Sequence, residues 1–151
     1  MLATVASRPH EVDGLAVTSP YVFDRRLLAA PVGGLVLRNA RGVANDIAKR
    51  GQDERGDAPK PVPSIRQMVA MMKLVRRALP KIHRPIVGFR SGTDHVIPRS
   101  NASKVLRRIG SERKALVECP NSCHVVTLDH DAPLVRERVL AFARELDAVK
   151  V

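Results

Sequence analysis

The chain of 151 residues is 44% hydrophobic and 27% charged, a composition that fits one globular domain and excludes a disordered or fibrous protein. Its formal net charge of +11 raises the question of nucleic-acid binding, but the basic residues are scattered through every segment. With one Tyr, three Phe and no Trp, few aromatic side chains could stack on bases, so an Arg-rich solvated surface is expected instead.

Targeting signals are also missing from the sequence. No apolar run reaches the ~18 residues of a membrane span, and the first residues lack the basic stretch and long apolar core of a signal peptide. Cys119 and Cys123 are too close in sequence for a disulfide bond between them to stabilise the fold usefully. The expectation is a cytoplasmic protein without a membrane span.

The first half of the chain predicts one helix and one strand before a long irregular stretch. Residues 2–8 are small and apolar and favour a helix, whereas GLAVTS at 14–19 has the apolar, partly β-branched character of a buried strand. Residues 24–63 are polar and rich in Gly and Pro, which predicts an excursion with little regular structure.

The second half alternates helices with strands. A helix is predicted over 64–79, with Ser64 as its N-cap and an apolar stripe of Ile65, Val69, Met72, Val75 and Leu79. Strands are predicted at 85–90 and 114–119, separated by a helix over 101–110 with Gly110 as its C-cap. A last helix begins at about 131–133 and carries Val135, Val139, Phe142 and Leu146 on one face. This order predicts an α/β fold with about three parallel strands and flanking helices.

Two polar residues follow neighbouring predicted strands. Asp94 comes after the strand at 85–90, and His124 comes after the strand at 114–119. Sites in open parallel sheets form at the carboxyl ends of the strands. An Asp that accepts a hydrogen bond from His Nδ1 fixes the tautomer and leaves Nε2 to act as a base. The alternatives are an Asp94 that only caps its turn and a His124 that is only a core residue.

The sequences around these residues resemble a known family. FRSGTDHVIP, which contains Asp94, and NSCHVVTLD, which contains His124, are similar to the acid and histidine loops of the α/β-hydrolases, in particular the monoacylglycerol lipase and carboxylesterase-like serine hydrolases. The resemblance covers nearly the whole chain. It implies that Asp94 is the acid and His124 the base of a catalytic triad, that Asp129 has a structural role, and that residues 38–80 form a cap or lid over one partial α/β-hydrolase domain.

The nucleophile that this resemblance requires is not in the sequence. The family carries its serine in G-x-S-x-G, and no such motif occurs in the 151 residues. Ser91 lies in the acid loop itself, and Ser122 is more simply a loop hydrogen-bonding residue. The chain is therefore expected to be the C-terminal portion of a serine hydrolase. A truncated gene, a misplaced start and a split protein all fit, and the portion would be inactive without a complementing N-terminal half or an oligomer.

The function implied by the resemblance is hydrolysis of a carboxylic ester, with a small ester or acylglycerol as substrate. Neither a cofactor nor a metal is needed for that reaction. Met68, Met71 and Met72 could line the acyl pocket, since methionine adapts to varied acyl chains, although packing of the cap on the core is the favoured explanation.

Three readings from other classes stay open. Four potential zinc ligands, Cys119, Cys123, His124 and His130, are crowded into twelve residues, whereas structural zinc sites usually separate two ligand pairs. A basic face could bind nucleic acid through Lys104, Arg107, Arg108, Arg113 and Lys114. The chain could also be a non-catalytic interaction protein built on a hydrolase remnant.

Overall fold

The computed structural model describes residues 2–24, 39–40, 45–53 and 60–148. The elements in chain order are α1 (Leu2–Ser7), β1 (Leu15–Thr18), β2 (Asn39–Ala40), β3 (Lys60–Pro61), α2 (Val62–Ala78), β4 (Ile86–Ser91), α3 (Ser100–Arg108), β5 (Lys114–Cys119) and α4 (Ala132–Ala148), with short 3-10 turns at Pro9–Glu11 and Leu79–Lys81. Most of the predicted excursion at 24–63 lies outside the described residues. The part that is described includes one short antiparallel pair, β2 with β3, which the sequence did not predict.

The main sheet has three parallel strands in the order β1-β4-β5, which confirms the predicted fold class. β4 is central, and its residues from Ile86 to Phe89 are all buried because it has a neighbour on each side and helices on both faces. β1 alternates instead, with Leu15 and Val17 buried and Ala16 and Thr18 exposed, as expected for a strand covered on one face.

Two apolar clusters lie on opposite faces of this sheet. The first joins α1, α2, α3 and the 3-10 turn after α2 to the sheet, and its buried members are Val5, Leu15, Val17, Val22, Leu79, Ile82, Ile86, Val105, Leu106 and Ile109. The second packs α4 against the sheet through Val87, Phe89, Cys119, Val126 and Val135, with Val117, Val139 and Phe142 at its margin. The sequence-predicted apolar face of α4 is thereby confirmed for Val135, Val139 and Phe142.

Two predicted helix ends differ from the structure. α2 begins at Val62, so Ser64 lies inside its first turn rather than at the N-cap. α3 ends at Arg108 with Ile109 as its C-cap, and Gly110 follows without a left-handed φ. Gly110 is required for a different reason, since a Cβ atom there would lie 2.3 Å from the Pro80 carbonyl oxygen. Close approach of two backbones, not helix capping, explains this glycine.

Candidate active site

The candidate site lies at the carboxyl ends of β4 and β5, where main-chain hydrogen bonds join the loops that follow these strands. Gly92 N–H donates to the Cys119 carbonyl over 2.7 Å, and Thr93 N–H donates to the Ser122 carbonyl over 3.3 Å. Gly92 is required at this crossing because a Cβ atom there would lie 2.2 Å from the Pro120 carbonyl oxygen. The backbone therefore fixes how the two loops sit against each other.

Asp94 and His124 form a hydrogen-bonded pair across these loops. His124 Nδ1 lies 3.0 Å from Asp94 Oδ2, within the range of about 2.6–3.2 Å expected for an acid–base pair. The predicted geometry is thus confirmed. An ionised carboxylate can only accept a hydrogen bond, so the shared proton is on Nδ1, and Nε2 carries the lone pair of the neutral ring. The Asp94 and His124 side chains are 4% and 24% exposed, respectively.

The second oxygen of Asp94 is held by its own turn. Oδ1 accepts hydrogen bonds from Val96 N–H over 3.0 Å and from Ile97 N–H over 2.8 Å. Burial opposes ionisation of Asp94, but the hydrogen bond from His124 and those from the two amides outweigh it and hold the pKa of Asp94 below its ordinary value. Asp94 therefore caps its turn and orients His124 at the same time, and it is a carboxylate at neutral pH.

Asp129 anchors the histidine loop without facing His124. Its buried carboxylate accepts hydrogen bonds from four main-chain N–H groups, those of Ala48, Lys49, Cys123 and His130, over 2.8–2.9 Å. Burial acts to raise the pKa of Asp129, but the four amides lower it by a larger amount. The pKa of Asp129 therefore lies below its ordinary value. The geometry fits the structural role expected for this residue.

The two serines named in the sequence analysis, Ser91 and Ser122, are both buried. Ser122 Oγ is buried and donates to Asp131 Oδ2 over 2.9 Å, while accepting from Asp131 N–H over 2.9 Å. Ser91 is 2% exposed at the end of β4, and among the described residues nothing hydrogen-bonds its Oγ. Each of the two serines is 2% exposed.

Sequence analysis missed two residues that contact the main chain of His124. Ser19 Oγ donates to the His124 carbonyl over 2.8 Å, and Asp46 Oδ2 accepts from His124 N–H over 3.2 Å. The strand-end rule that selected Asp94 would also have selected Ser19, which follows β1. Asp46 carries no such signal, because it is an isolated acidic residue in a stretch without regular structure.

Ser19 has one feature of a nucleophile elbow but not the others. It follows a strand and adopts a left-handed φ of 40°, which is unusual for a residue other than glycine. Its hydroxyl, however, donates to a main-chain carbonyl. The next residue, Pro20, has no N–H group to supply to an oxyanion hole.

The four potential zinc ligands considered as one alternative, Cys119, Cys123, His124 and His130, are not brought together as a group in the structure. Among the described residues, the potential ligands that gather within 4.8 Å of one another are Asp46, His95 and Cys123. Cys119 is fully buried, where burial and then the nearby Asp131 and Glu118 raise its pKa to about 11. The structure does not support this alternative, because His124 is hydrogen-bonded to Asp94 and Cys119 lies in the apolar cluster under α4.

The remaining sequence-predicted residues are distributed over the surface and the core. Met72 is buried and Met68 half-buried, whereas Met71 is 54% exposed. The basic face at 104–114 is partly engaged in contacts within the chain. Arg108 lies over the Phe23 ring at 4.9 Å, Lys114 Nζ donates to the Ile109 carbonyl over 3.1 Å, and Arg113 approaches Glu145.

An open groove runs along the outer side of β1. Its volume is about 310 Å³, and Leu2, Ala16, Thr18, Tyr21 and Val75 are among the residues that line it. β1 pairs only with β4 in the described part of the chain, so this side of the strand is a sheet edge. No helix in the described ranges is long and apolar enough to cross a membrane.

Comparison with known proteins finds lipases and esterases among the similar proteins, although no protein-family model matches the chain. The chain is 34% identical over 110 residues to the thermostable monoacylglycerol lipase of Bacillus sp. (strain H-257), a match that covers 73% of the chain and 44% of that enzyme. A solved structure reported for LipS and LipT, two metagenome-derived lipolytic enzymes, superposes with a TM-score of 0.86 at 29% identity and covers 95% of the chain and 60% of that structure.

A more distant structure has the same fold. The monoacylglycerol lipase of Paleococcus ferrophilus superposes with a TM-score of 0.67 at 15% identity, covering 96% of this chain and 62% of that one. The chain thus spans less than half the length of the curated relative it matches and about three-fifths of the two solved structures. With its three parallel strands, its flanking helices and its strand-end loops, the chain is a partial α/β-hydrolase of the monoacylglycerol lipase-like and esterase-like group.

Proposed function

We propose that Asp94 and His124 are the acid and the base of a Ser-Asp-His triad that hydrolyses carboxylic esters. We further propose that the serine and its oxyanion-hole amides come from protein sequence outside these 151 residues. The observation that carries the proposal is the 3.0 Å hydrogen bond between His124 Nδ1 and a carboxylate that two amides hold in place. It orients the imidazole with Nε2 as the basic nitrogen.

In this mechanism His124 moves one proton in each half of the reaction. Nε2 takes the proton of the serine hydroxyl as its oxygen bonds to the acyl carbon, and then gives it to the leaving alcohol. In the second half, Nε2 takes a proton from water as the water oxygen bonds to the acyl carbon. Nε2 then gives this proton to the serine oxygen, the acyl–serine bond breaks, and the carboxylic acid is released. Asp94 keeps its negative charge throughout and stabilises the imidazolium. The lowered pKa of Asp94 favours this role, since the group stays ionised.

The sequence motif and the contacts of three serines support the proposal of an external nucleophile. G-x-S-x-G does not occur in the sequence. Ser122 is bonded to Asp131, Ser91 is buried, and Ser19 donates to a main-chain carbonyl. The free edge of β1 offers a place where additional strands of an α/β-hydrolase sheet could pair. The 151 residues by themselves are therefore expected to be inactive.

For the substrate we propose a small ester or acylglycerol, with residues 38–80 as the cap over its acyl group. The support is the name of the matching Bacillus enzyme, a monoacylglycerol lipase. Within the cap, Met71 is exposed and could touch a substrate or another segment, whereas Met72 is 3% exposed and packs in the interior. Met68 is intermediate between the two.

A chimera tests the proposal. Residues 1–151 would replace the matching C-terminal segment of the Bacillus monoacylglycerol lipase, which supplies the nucleophile half, and hydrolysis of p-nitrophenyl esters would be followed. We expect activity that His124→Ala lowers by about 10⁴-fold, with a similar loss for Asp94→Asn, since removal of a triad member has an effect of this size.

His130→Ala is the matched control, because His130 lies in the same loop with an exposed side chain. It should leave the activity of the chimera unchanged. A chimera that folds, by circular dichroism and cooperative melting, yet keeps its activity in the His124→Ala variant would contradict the assignment of the base.

A further inference from the structure

Both main-chain polar groups of His124 are bound by side chains that are distant in sequence. Its N–H donates to Asp46 Oδ2, and its carbonyl accepts from Ser19 Oγ. His124 lies in a loop after β5 and has no regular secondary structure to fix its backbone. The position of the imidazole therefore depends on these two side chains as well as on Asp94.

Asp46 also binds the residue next to the acid. Its Oδ2 accepts from His95 N–H over 3.1 Å, and its Oδ1 accepts from His95 Nδ1 over 2.7 Å. A single carboxylate thus bridges the loop of Asp94 and the loop of His124. Asp46 is 7% exposed, and hydrogen bonds shielded from water in this way hold their geometry more firmly than exposed ones.

The segment that carries Asp46 is itself anchored to the histidine loop. Ala48 and Lys49 donate their N–H groups to Asp129, which also accepts from Cys123 N–H. Each side thus supplies one carboxylate to the other. Asp46 in the segment accepts from the loop, and Asp129 in the loop accepts from the segment. The segment and the histidine loop are therefore joined at two points, and the bonds from His95 to Asp46 connect both of them to the loop of Asp94.

Ser19 is fixed from the other side of the site. Its N–H donates to the Phe89 carbonyl of β4 over 3.3 Å, which ties the end of β1 to the sheet. Its left-handed φ of 40° costs free energy for a residue with a Cβ atom. A glycine would adopt this φ without strain but would lose the hydroxyl that His124 uses.

We propose that Asp46 and Ser19 are positioning residues that hold the backbone of His124 at the distance at which Nδ1 meets Asp94. The proposal rests on the proposed function of the Asp94–His124 pair. Asp46 acts as an acceptor of N–H groups, so an amide oxygen in the same place should serve nearly as well. Neither residue touches the reacting atoms in this account.

The test is the NMR signal of the His124 Nδ1 proton in the 151-residue chain, identified by its loss in His124→Gln. Asp46→Ala should accelerate exchange of this proton with water by about tenfold, the effect expected for one lost anchoring hydrogen bond. Asp46→Asn should restore slow exchange, because its carbonyl oxygen can still accept from His95 and His124. Ser19→Gly should also accelerate exchange, without lowering the melting temperature as a cavity would.

Asp24→Ala is the matched control, since Asp24 is equally buried and its carboxylate accepts a hydrogen bond from Tyr21. It should leave the exchange rate unchanged. The proposal is overturned if Asp46→Ala folds and its Nδ1 proton exchanges at the original rate, or if Asp24→Ala accelerates exchange equally. If Asp46→Ala does not fold, slow exchange in Ser19→Gly would overturn the proposal. Because this measurement involves no catalysis, a negative result here can be distinguished from failure of the proposed function. The proposed function fails if the esterase chimera keeps its activity in the His124→Ala variant.

Discussion

The strand-end loops and the outer side of β1 differ in how far their side chains are buried and bonded within the chain. In the loops, the buried carboxylates of Asp129 and Asp131 and the Ser122 hydroxyl are all hydrogen-bonded within the chain. Along β1, Ala16 and Thr18 are exposed beside an open groove of about 310 Å³. On α2, Met71 and Leu74 are more than half exposed.

This difference separates two parts of the chain by how their groups are bonded. Asp94 and His124 are held by hydrogen bonds from groups within the chain. In the described part of the chain, the outer edge of β1 is not paired with another strand, and Met71 and Leu74 on α2 are exposed. Unpaired strand edges and exposed apolar side chains are sites of association or aggregation. The comparison thus separates the hydrogen-bonded Asp94–His124 region from a surface that could pair or pack with further structure.

The largest expected effect comes from disturbing the loop crossing at Gly92. Gly92→Ala should lower the free energy of unfolding by about 3 kcal/mol or more, because its Cβ would meet the Pro120 carbonyl, a backbone atom that cannot rotate away. Urea unfolding monitored by circular dichroism measures this change. The Nδ1 proton of His124 should also exchange faster, since the two loops are forced apart.

Gly88→Ala, a variant in β4 just before the loop crossing, provides the control. A Cβ atom at Gly88 would lie 3.4 Å from Leu106 Cδ1, the end of a side chain that can adjust. Gly88→Ala should lower the free energy of unfolding by much less than Gly92→Ala does. Equal losses in the two variants would mean that the crossing of the loops has no special role.

A smaller effect is expected from Asp129→Asn. The variant should lower the free energy of unfolding at neutral pH by about 2 kcal/mol, since one carboxamide oxygen replaces two carboxylate oxygens that accept four N–H groups. Chemical unfolding at pH 7 checks this value.

The same variant has a pH signature. The folded-state pKa of Asp129 lies below its ordinary value of 3.8, so its stabilisation is present above about pH 4 and is lost as the pH falls through the folded-state pKa. Stability of the unchanged chain should therefore drop more steeply at acid pH than stability of Asp129→Asn. Parallel curves would show that this carboxylate contributes no acid-dependent stability.

The smallest change in stability is expected on the exposed apolar side of α2. Met71→Lys should alter the free energy of unfolding by less than about 0.5 kcal/mol, because the side chain is 54% exposed. It should nevertheless reduce self-association, as measured by light scattering over a range of concentrations. Met72→Lys is the contrasting variant, since Met72 is 3% exposed and a buried charge there should unfold the chain.

The sequence was sufficient for the sheet and for the pairing of Asp94 with His124. The strands at 86–91 and 114–119 are apolar runs bounded by turn residues, and both site residues follow them directly. Ser19 and Asp46 could not be assigned in the same way. Their partner His124 lies 105 and 78 residues away, respectively, and such contacts depend on how loops from separate segments fold together.

Local sequence rules also failed at particular residues for physical reasons. Gly110 follows a helix, where glycine commonly supplies a left-handed φ, but here it allows the Pro80 backbone to approach. Ser64 has the chemistry of an N-cap, yet the helix begins two residues earlier, next to the pairing of β3 with β2. In both cases a neighbouring backbone, which the local sequence does not reveal, determines the outcome.

The most direct test of the central claim is labelling by a fluorophosphonate probe, followed by mass spectrometry. We predict no covalent adduct on the 151-residue chain, and one adduct per molecule on the chimera, at the serine of its G-x-S-x-G motif, with labelling strongly slowed by His124→Ala. Stoichiometric labelling of the 151-residue chain alone would contradict this account. It would place the nucleophile within the chain, and the modified peptide would identify it as Ser19, Ser91, Ser122 or another serine.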